Sequence, residues 1–139
     1  MNELLGKIGK YVGNNSFDEN ELDVMMDECV IAFEEQSYGI QIVQEILELM
    51  ERNPLIEFGS PGAFVHYVET FSGKGYEELL YESIEKKPTV HTLWMLNRII
   101  NDEDDNRYIN LLKAVTERQD IEDYVRNIAI EFYEYQNNK

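Results

Sequence analysis

The sequence has few of the residues that build disulfides, metal centres or phosphate-binding loops. Of its 139 residues one is cysteine, two are histidine and three are proline. The single cysteine, Cys29, cannot form a disulfide within the chain, and its place on an apolar helical stripe predicts a buried structural thiol. There is no Cys-x-x-Cys and no His-Glu-x-x-His, and Gly73-Lys74-Gly75 lacks the spacing of a phosphate loop. We therefore expect no enzymatic activity and no cofactor.

Long apolar runs and positive charge are also scarce. No run approaches the roughly 20 apolar residues that span a bilayer, and residues 1–15 carry no secretory cleavage signal, so we expect a cytoplasmic protein. Twelve lysines and arginines face 28 aspartates and glutamates, which leaves a net charge of −16. Such a surface repels nucleic-acid phosphates and anionic lipids, which argues against nucleic-acid and membrane partners, and it attracts basic protein surfaces.

The negative charge is unevenly distributed along the chain. Residues 1–51 carry a net charge of −10, residues 52–101 a net charge of −1 and residues 102–139 a net charge of −5. The nearly neutral centre, Ile56–Asn101, also contains both histidines and the only tryptophan. A hydrophobic content of 43% argues against disorder despite the charge.

Apolar residues recur throughout at the spacing of amphipathic helices, and no segment alternates as a half-buried strand does. The longest stripe runs through Leu22, Met25, Met26, Cys29, Val30 and Phe33, after a Ser16–Glu19 pair that fits a capping box. A short connection then predicts that this helix forms a hairpin with the next one. The fold class is therefore all-α: a single domain over residues 1–139 with seven to eight short helices packed as antiparallel hairpins, either HEAT- or armadillo-like or an irregular helical bundle.

Sequence signals also suggest where the later helices begin. Ser60-Pro61 suits the start of the fourth helix, and Pro88-Thr89 suits the start of the sixth, which is apolar over so much of its circumference that we expect it to be central. The acidic run Asn101–Asp105 suits the first turn of the seventh helix. Asp120 with Asp123 suits the start of the last one.

The candidate binding residues are acidic and aromatic. The second helix has seven acids and no lysine or arginine, so it forgoes the ion pairs that stabilise surface helices, and a basic partner would explain this. Tyrosine and tryptophan are typical of interface hot spots. The predicted partner-binding residues are Asp23, Asp27, Glu28, Glu77, Glu78, Tyr81, Glu82, Trp94, Asp102, Asp104 and Asp105.

A metal site or an enzyme is an alternative hypothesis to protein binding. His66 and Glu69 lie three residues apart on one predicted helix, and Glu82 or His91 from neighbouring helices would have to complete the ligand set. The chain lacks the repeated Glu-x-x-His pattern of carboxylate-bridged metal bundles. The competing interpretation is that each histidine is a hydrogen-bonded structural residue.

Three stretches of the centre carry a family resemblance: Gly-Ser-Pro-Gly at Gly59–Gly62, the segment Gly75–Leu80, and the segment Pro88–Arg98. Together they resemble the helical immunity proteins of bacterial polymorphic and contact-dependent toxin systems, over about a third of the chain. The resemblance implies a protein without enzymatic activity that binds one cognate toxin, in many cases a nuclease with a basic surface. The alternative is a helical adaptor that binds another protein and has no toxin partner.

Overall fold

The computed structural model of the chain describes residues 2–13 and 16–138. Within these ranges the backbone forms eight α-helices and no β-strand, which confirms the all-α prediction. The helices are α1 (Glu3–Val12), α2 (Glu19–Glu35), α3 (Gln41–Arg52), α4 (Ala63–Glu69), α5 (Tyr76–Lys86), α6 (Val90–Asp102), α7 (Asn106–Thr116) and α8 (Asp123–Asn137). In the part of the chain described, no helix is both long and apolar enough to cross a membrane.

The helices pack both against their neighbours in the chain and against helices two positions away, and the pairing of α7 with α8 is the most extensive. Helix α1 packs against α3, α3 against α5 and α5 against α7, while α2 packs against α4 and α6 against α8. This order is typical of stacked helical hairpins, and HEAT-like stacking itself stays a prediction. The expected α2–α3 hairpin is not a principal pairing, because α1 and α4 cover the apolar stripe of α2 instead. The ring of Phe33 on α2, for example, lies 5.8 Å from that of Tyr67 on α4.

Helix α6 is central, as its wide apolar arc predicts. It packs against α3, α5, α7 and α8, and seven of its residues are buried.

Cys29 is buried too, as expected, and burial, reinforced by the nearby Glu28 carboxylate, raises its thiol pKa to about 11. The thiol is therefore protonated at neutral pH and is a poor nucleophile.

The start of α2 differs from the prediction. The Ser16–Glu19 capping box is wrong, because Asp18 is the N-cap residue. Its carboxylate accepts hydrogen bonds from the backbone N–H groups of Asn20 and Glu21, at 2.8 and 3.4 Å. A negative charge there also interacts favourably with the helix dipole, so Asp18 is a better cap than a serine two residues earlier.

The start of α4 also lies later than predicted. The helix begins at Ala63 rather than at Pro61, the Ser60–Pro61 peptide bond is cis, and Gly62 has a φ of +89°. Only glycine adopts that backbone angle readily, so Gly62 sets the direction in which the chain enters the helix. The start of α6 agrees with the prediction, since Thr89 is its N-cap and forms a capping box with Thr92.

The acidic run before α7 is divided between two helices. Asn101 and Asp102 form the end of α6, and α7 begins only at Asn106. The predicted acidic first turn is therefore wrong: the first turn of α7 holds no acid, and Asp105 is its N-cap. Asp105 caps α7 by accepting the N–H of Arg107 at 2.9 Å. Similarly, α8 begins at Asp123, and Asp120 lies outside it.

Candidate partner-binding surface

The outer face of α2 presents the largest run of uncompensated carboxylates. From Asp23 onward, at 100° per residue, the exposed residues of α2 fall within an arc of about 140° opposite the buried stripe. We define this set as the α2 acidic face: Asp23, Val24, Asp27, Glu28, Ile31, Glu34 and Glu35. The acids that form ion pairs within residues 2–13 and 16–138 are Glu51, Glu69, Glu78, Asp120, Glu122 and Asp123, and none of them belongs to α2.

Two apolar side chains lie in the middle of this face. Val24 is 49% exposed and Ile31 is 55% exposed, and their spacing of seven residues places them along one line of the helix. An apolar centre with a charged rim is typical of protein-binding surfaces. The predicted binding residues do not include these two, although β-branched residues outside the apolar stripe of an acidic helix are a signal that could have identified them.

A small pocket beside Trp94 lies next to the start of α2. We call it the Trp94 pocket; its volume is about 100 Å³, and Ile128 and Phe132 of α8 form its apolar wall. Glu57, exposed at the rim, also lines an adjoining hollow together with Glu19 and Asp23. The structure therefore brings two predicted binding residues, Asp23 and Trp94, to either end of one surface.

His91 holds the loop that separates these two hollows. Its Nδ1 accepts the backbone N–H of Phe58 at 3.0 Å, and the side chain is 1% exposed. Burial lowers its pKa to about 4, with the nearby Pro61 carbonyl acting in the opposite direction. The imidazole is therefore neutral at pH 7 and acts as a hydrogen-bond acceptor for the loop.

The residues of the metal hypothesis do not converge. His66 is exposed, His91 is buried against Phe58, and both carboxylate oxygens of Glu69 accept hydrogen bonds from Arg98. Within the described ranges no three histidine, cysteine, aspartate or glutamate side chains lie close enough to share a metal ion.

One face of α6 extends the surface beyond the Trp94 pocket. The guanidinium carbon of Arg98 lies 5.6 Å from the centre of the Trp94 ring. Asp102 follows at the same helical spacing, exposed at the end of the helix. It lines a further pocket together with Glu77 of α5, which is the second pairing of predicted residues.

The other predicted residues lie elsewhere. Glu78 forms an ion pair with Arg107 at 3.1 Å, and the Arg107 guanidinium lies 5.5 Å from the half-buried ring of Tyr81, so this group is partly neutralised. Glu82 lines a separate hollow between α3 and α5. Asp104 and Asp105 are exposed in the α6–α7 connection, where Asp105 caps α7.

Comparison with known proteins adds no relative. The chain matches no family model, no curated protein and no solved structure at a significant level. The candidate surface is therefore described by its own residues: the α2 acidic face, the Trp94 pocket and the outer face of α6.

Proposed function

We propose that this protein is a cytoplasmic immunity protein that binds and neutralises a bacterial toxin domain through an acidic surface. The observation that carries the proposal is the α2 acidic face, whose carboxylates have no ion pair with any cation in the part of the chain described. The resemblance of the central segments to helical immunity proteins supports the same function.

The mechanism is competition for a cationic site. A nuclease holds phosphates with lysine and arginine side chains, and a rigid helix with carboxylates on one side offers those side chains an alternative partner. The negative field accelerates the encounter and fixes the orientation of the complex. Inhibition by occupation of the cationic site requires no catalytic activity of the inhibitor.

Apolar contacts give the complex a longer residence time than surface charge alone can give. Exposed ion pairs contribute only about 0.2–1 kcal/mol each, so charge alone gives limited residence time. Val24 and Ile31 at the centre of the α2 acidic face, together with the half-buried ring of Trp94, provide area that loses its water on binding. We expect these residues to set the dissociation rate.

The test combines gene context with affinity. The proposal predicts that a toxin gene with a basic C-terminal domain lies beside the gene for this protein. That domain is purified, and its Kd is measured by calorimetry against the unaltered protein and a variant with Asp23→Asn, Asp27→Asn and Glu28→Gln. At roughly 0.5–1 kcal/mol per carboxylate, we expect Kd to rise about 10- to 150-fold and its salt dependence to weaken.

A matched control removes three charges elsewhere. Glu85→Gln, Glu117→Gln and Glu134→Gln change exposed carboxylates on α5, after α7 and on α8, none of which forms an ion pair among the described residues. This variant should bind within about threefold of the unaltered protein. Equal losses in both variants would mean that only net charge matters and would remove the α2 acidic face from the mechanism.

The adaptor alternative makes a different prediction about salt. The Trp94 pocket has an apolar wall, so a non-toxin ligand that uses it would bind through burial of apolar area. Such binding is nearly insensitive to ionic strength between 50 and 500 mM, whereas a basic toxin loses affinity steeply over that range. The salt dependence of the first partner found therefore separates the two functions.

A further inference from the structure

An apolar stripe on α8 continues outward from the Trp94 pocket. Four of its side chains fall within an arc of about 80° of the helix, at 100° per residue: Tyr124, Ile128, Phe132 and Tyr135. Ile128 and Phe132 are half-buried and form the wall of the pocket, whereas the two tyrosines are each 55% exposed. We call these four residues, together with Trp94, the Trp94–α8 surface.

The helices beside α8 leave this stripe partly open to solvent. Helix α8 packs chiefly against α7 and α6, and its buried residues are Val125 and Ala129. They lie about 80° around the helix from the middle of the stripe. Gln136 holds α8 against α6 by donating to the side-chain oxygens of Asn97 and Asn101, at 2.6 and 3.0 Å. The stripe therefore lies at the edge where α8 meets α6 and is fixed in place there.

The exposed side chains of the Trp94–α8 surface are those that dominate protein interfaces. Of the large hydrophobic side chains in the part of the chain described, none is more exposed than Tyr124 and Tyr135. Tyrosine and tryptophan are enriched at interface hot spots, and a contiguous apolar patch on a protein surface commonly marks a binding site. From Tyr124 to Tyr135 the stripe runs for about 16 Å, or three turns of helix.

Carboxylates border the Trp94–α8 surface. Glu57 is exposed at the rim of the Trp94 pocket, and Glu131 is exposed on α8 beside the stripe, on the side away from Val125. Neither carboxylate forms an ion pair with any cation in residues 2–13 and 16–138. A ligand that covers the stripe brings its flanks against this negative charge, which favours lysine or arginine at those flanks.

The same charge disfavours a second copy of the chain as the occupant. Each copy has a net charge of −16. Pairing two Trp94–α8 surfaces around a twofold axis would bring rims of the same sign together, and juxtaposed like charges oppose association. A basic ligand has no such cost.

A helix matches the length and the spacing of the surface. Apolar side chains at i, i+4, i+8 and i+11 form a ridge against which another helix packs, and amphipathic helices bind proteins through apolar residues at such spacings. We propose that the Trp94–α8 surface receives an amphipathic α-helix of the protein partner, with an apolar side chain in the Trp94 pocket and basic residues facing Glu57 and Glu131. The inference rests on the proposed function for the source of that helix.

The first experiment uses a synthetic peptide and the only tryptophan of the chain. A helical peptide of about 14 residues, about four turns, carries leucines along one side and lysines elsewhere. It is titrated into the full-length protein while the emission of Trp94 is recorded. We expect a saturable shift to shorter wavelength as the ring loses water. A peptide of the same length and charge, with alanine in place of leucine, should cause no shift.

Three results of this titration would overturn the proposal. Equal shifts with both peptides would mean that charge alone brings the helix to the surface. A shift with neither peptide would mean that the surface does not accept a helix. A shift that grows with protein concentration in the absence of peptide would assign the surface to a second copy.

The second experiment changes only exposed apolar residues. Tyr124→Ser with Tyr135→Ser should weaken binding of the leucine peptide at least fivefold. Val24→Ser with Ile31→Ser is the matched control, because these side chains on the α2 acidic face are 49% and 55% exposed; it should alter binding less than twofold. Equal losses in the two variants, with both folded by circular dichroism, would remove the two tyrosines from the site.

The third experiment keeps the site testable if the tyrosine variant does not fold. Glu57→Gln with Glu131→Gln should weaken binding of the leucine peptide at least threefold. Glu85→Gln with Glu117→Gln removes the same charge from exposed positions elsewhere and should alter binding less than twofold. Equal effects of the two pairs would contradict the proposed contacts between the helix and the rim.

The toxin domain separates this inference from the proposed function. Affinity that falls in the Asp23, Asp27 and Glu28 variant but is unchanged by Tyr124→Ser with Tyr135→Ser would refute the helix site and leave the proposed function intact. Leucine-dependent peptide binding at Trp94, with a toxin domain that does not bind this protein, would refute the proposed function and leave the helix site.

Discussion

Acidification should destabilise this protein through His91. The imidazole is buried, its Nδ1 accepts the Phe58 N–H, and its pKa in the folded state is about 4 against an ordinary value of 6.5. As the pH falls, the unfolded chain binds the proton first, so the stabilisation is fully present above pH 6.5 and is lost between pH 6.5 and 4. The two pKa values differ by about 2.5, and a difference of one corresponds to about 1.4 kcal/mol. Full protonation of His91 should therefore lower the free energy of unfolding by about 3 kcal/mol.

The assay must separate this effect from that of the carboxylates. With a net charge of −16, protonation of surface acids also relieves repulsion over the same pH range. Free energies of unfolding are therefore measured in urea at pH 7, 6, 5 and 4 for the unaltered protein and for His91→Asn. The asparagine keeps an acceptor near the Phe58 N–H but does not titrate.

We expect the variant to be less stable at pH 7, because it loses buried contacts, and to lose less stability on acidification. The difference in free energy of unfolding between the unaltered protein and the variant should narrow by about 3 kcal/mol from pH 7 to pH 4. Parallel curves over the whole range would refute the reasoning, because His91 would then take up its proton equally in the folded and unfolded states.

Two further predictions concern the starts of α2 and α4, which lie later in the chain than the sequence predicts. Asp18→Ala should lower the free energy of unfolding by about 1 kcal/mol, whereas Ser16→Ala should change it by less than about 0.3 kcal/mol, as measured in urea; the opposite ranking would restore the Ser16 cap. Gly62→Ala should cost more than about 2 kcal/mol, because at a φ of +89° the added Cβ would overlap the Phe58 carbonyl. The control Gly6→Ala, in α1 with open space around the new Cβ, should be neutral or slightly stabilising in the same assay, and equal losses at both glycines would contradict the backbone argument.

The periodicity of the sequence was enough to predict the helical class and much of the core. The buried face of α2, including Cys29, and the central position of α6 follow from apolar residues at the 3.6-residue period. Helix starts were predicted less well, because several residues near each start can cap. Ser16 and Asp18 both qualify, and only the geometry selects Asp18. The partners of α2 depend on contacts distant in sequence, which periodicity does not contain.

Part of the candidate surface was also predictable from the helical periodicity of the apolar residues. Exposure of the acids on α2 follows from the apolar stripe, since the acids occupy the remaining faces. The pocket lined by Glu77 and Asp102 was not predictable, because it joins residues at the ends of α4, α5 and α6. Contacts between helix ends that are distant in sequence become visible only in the folded chain.

The ion pairs among the described residues leave the α2 acidic face without a cation partner, as the proposed function requires. The cations in these pairs are Lys86, Lys87, Arg98, Arg107, Arg118 and Arg126, all on or after α5. Helix α1 packs directly against α2 and carries Lys7 and Lys10, both exposed, yet neither forms an ion pair with α2 among the described residues. Helix α1 covers the apolar stripe of α2, on the side opposite the α2 acidic face, so the carboxylates of that face stay available to cations outside the chain. The unpaired state of these carboxylates is therefore the property on which a basic partner would depend.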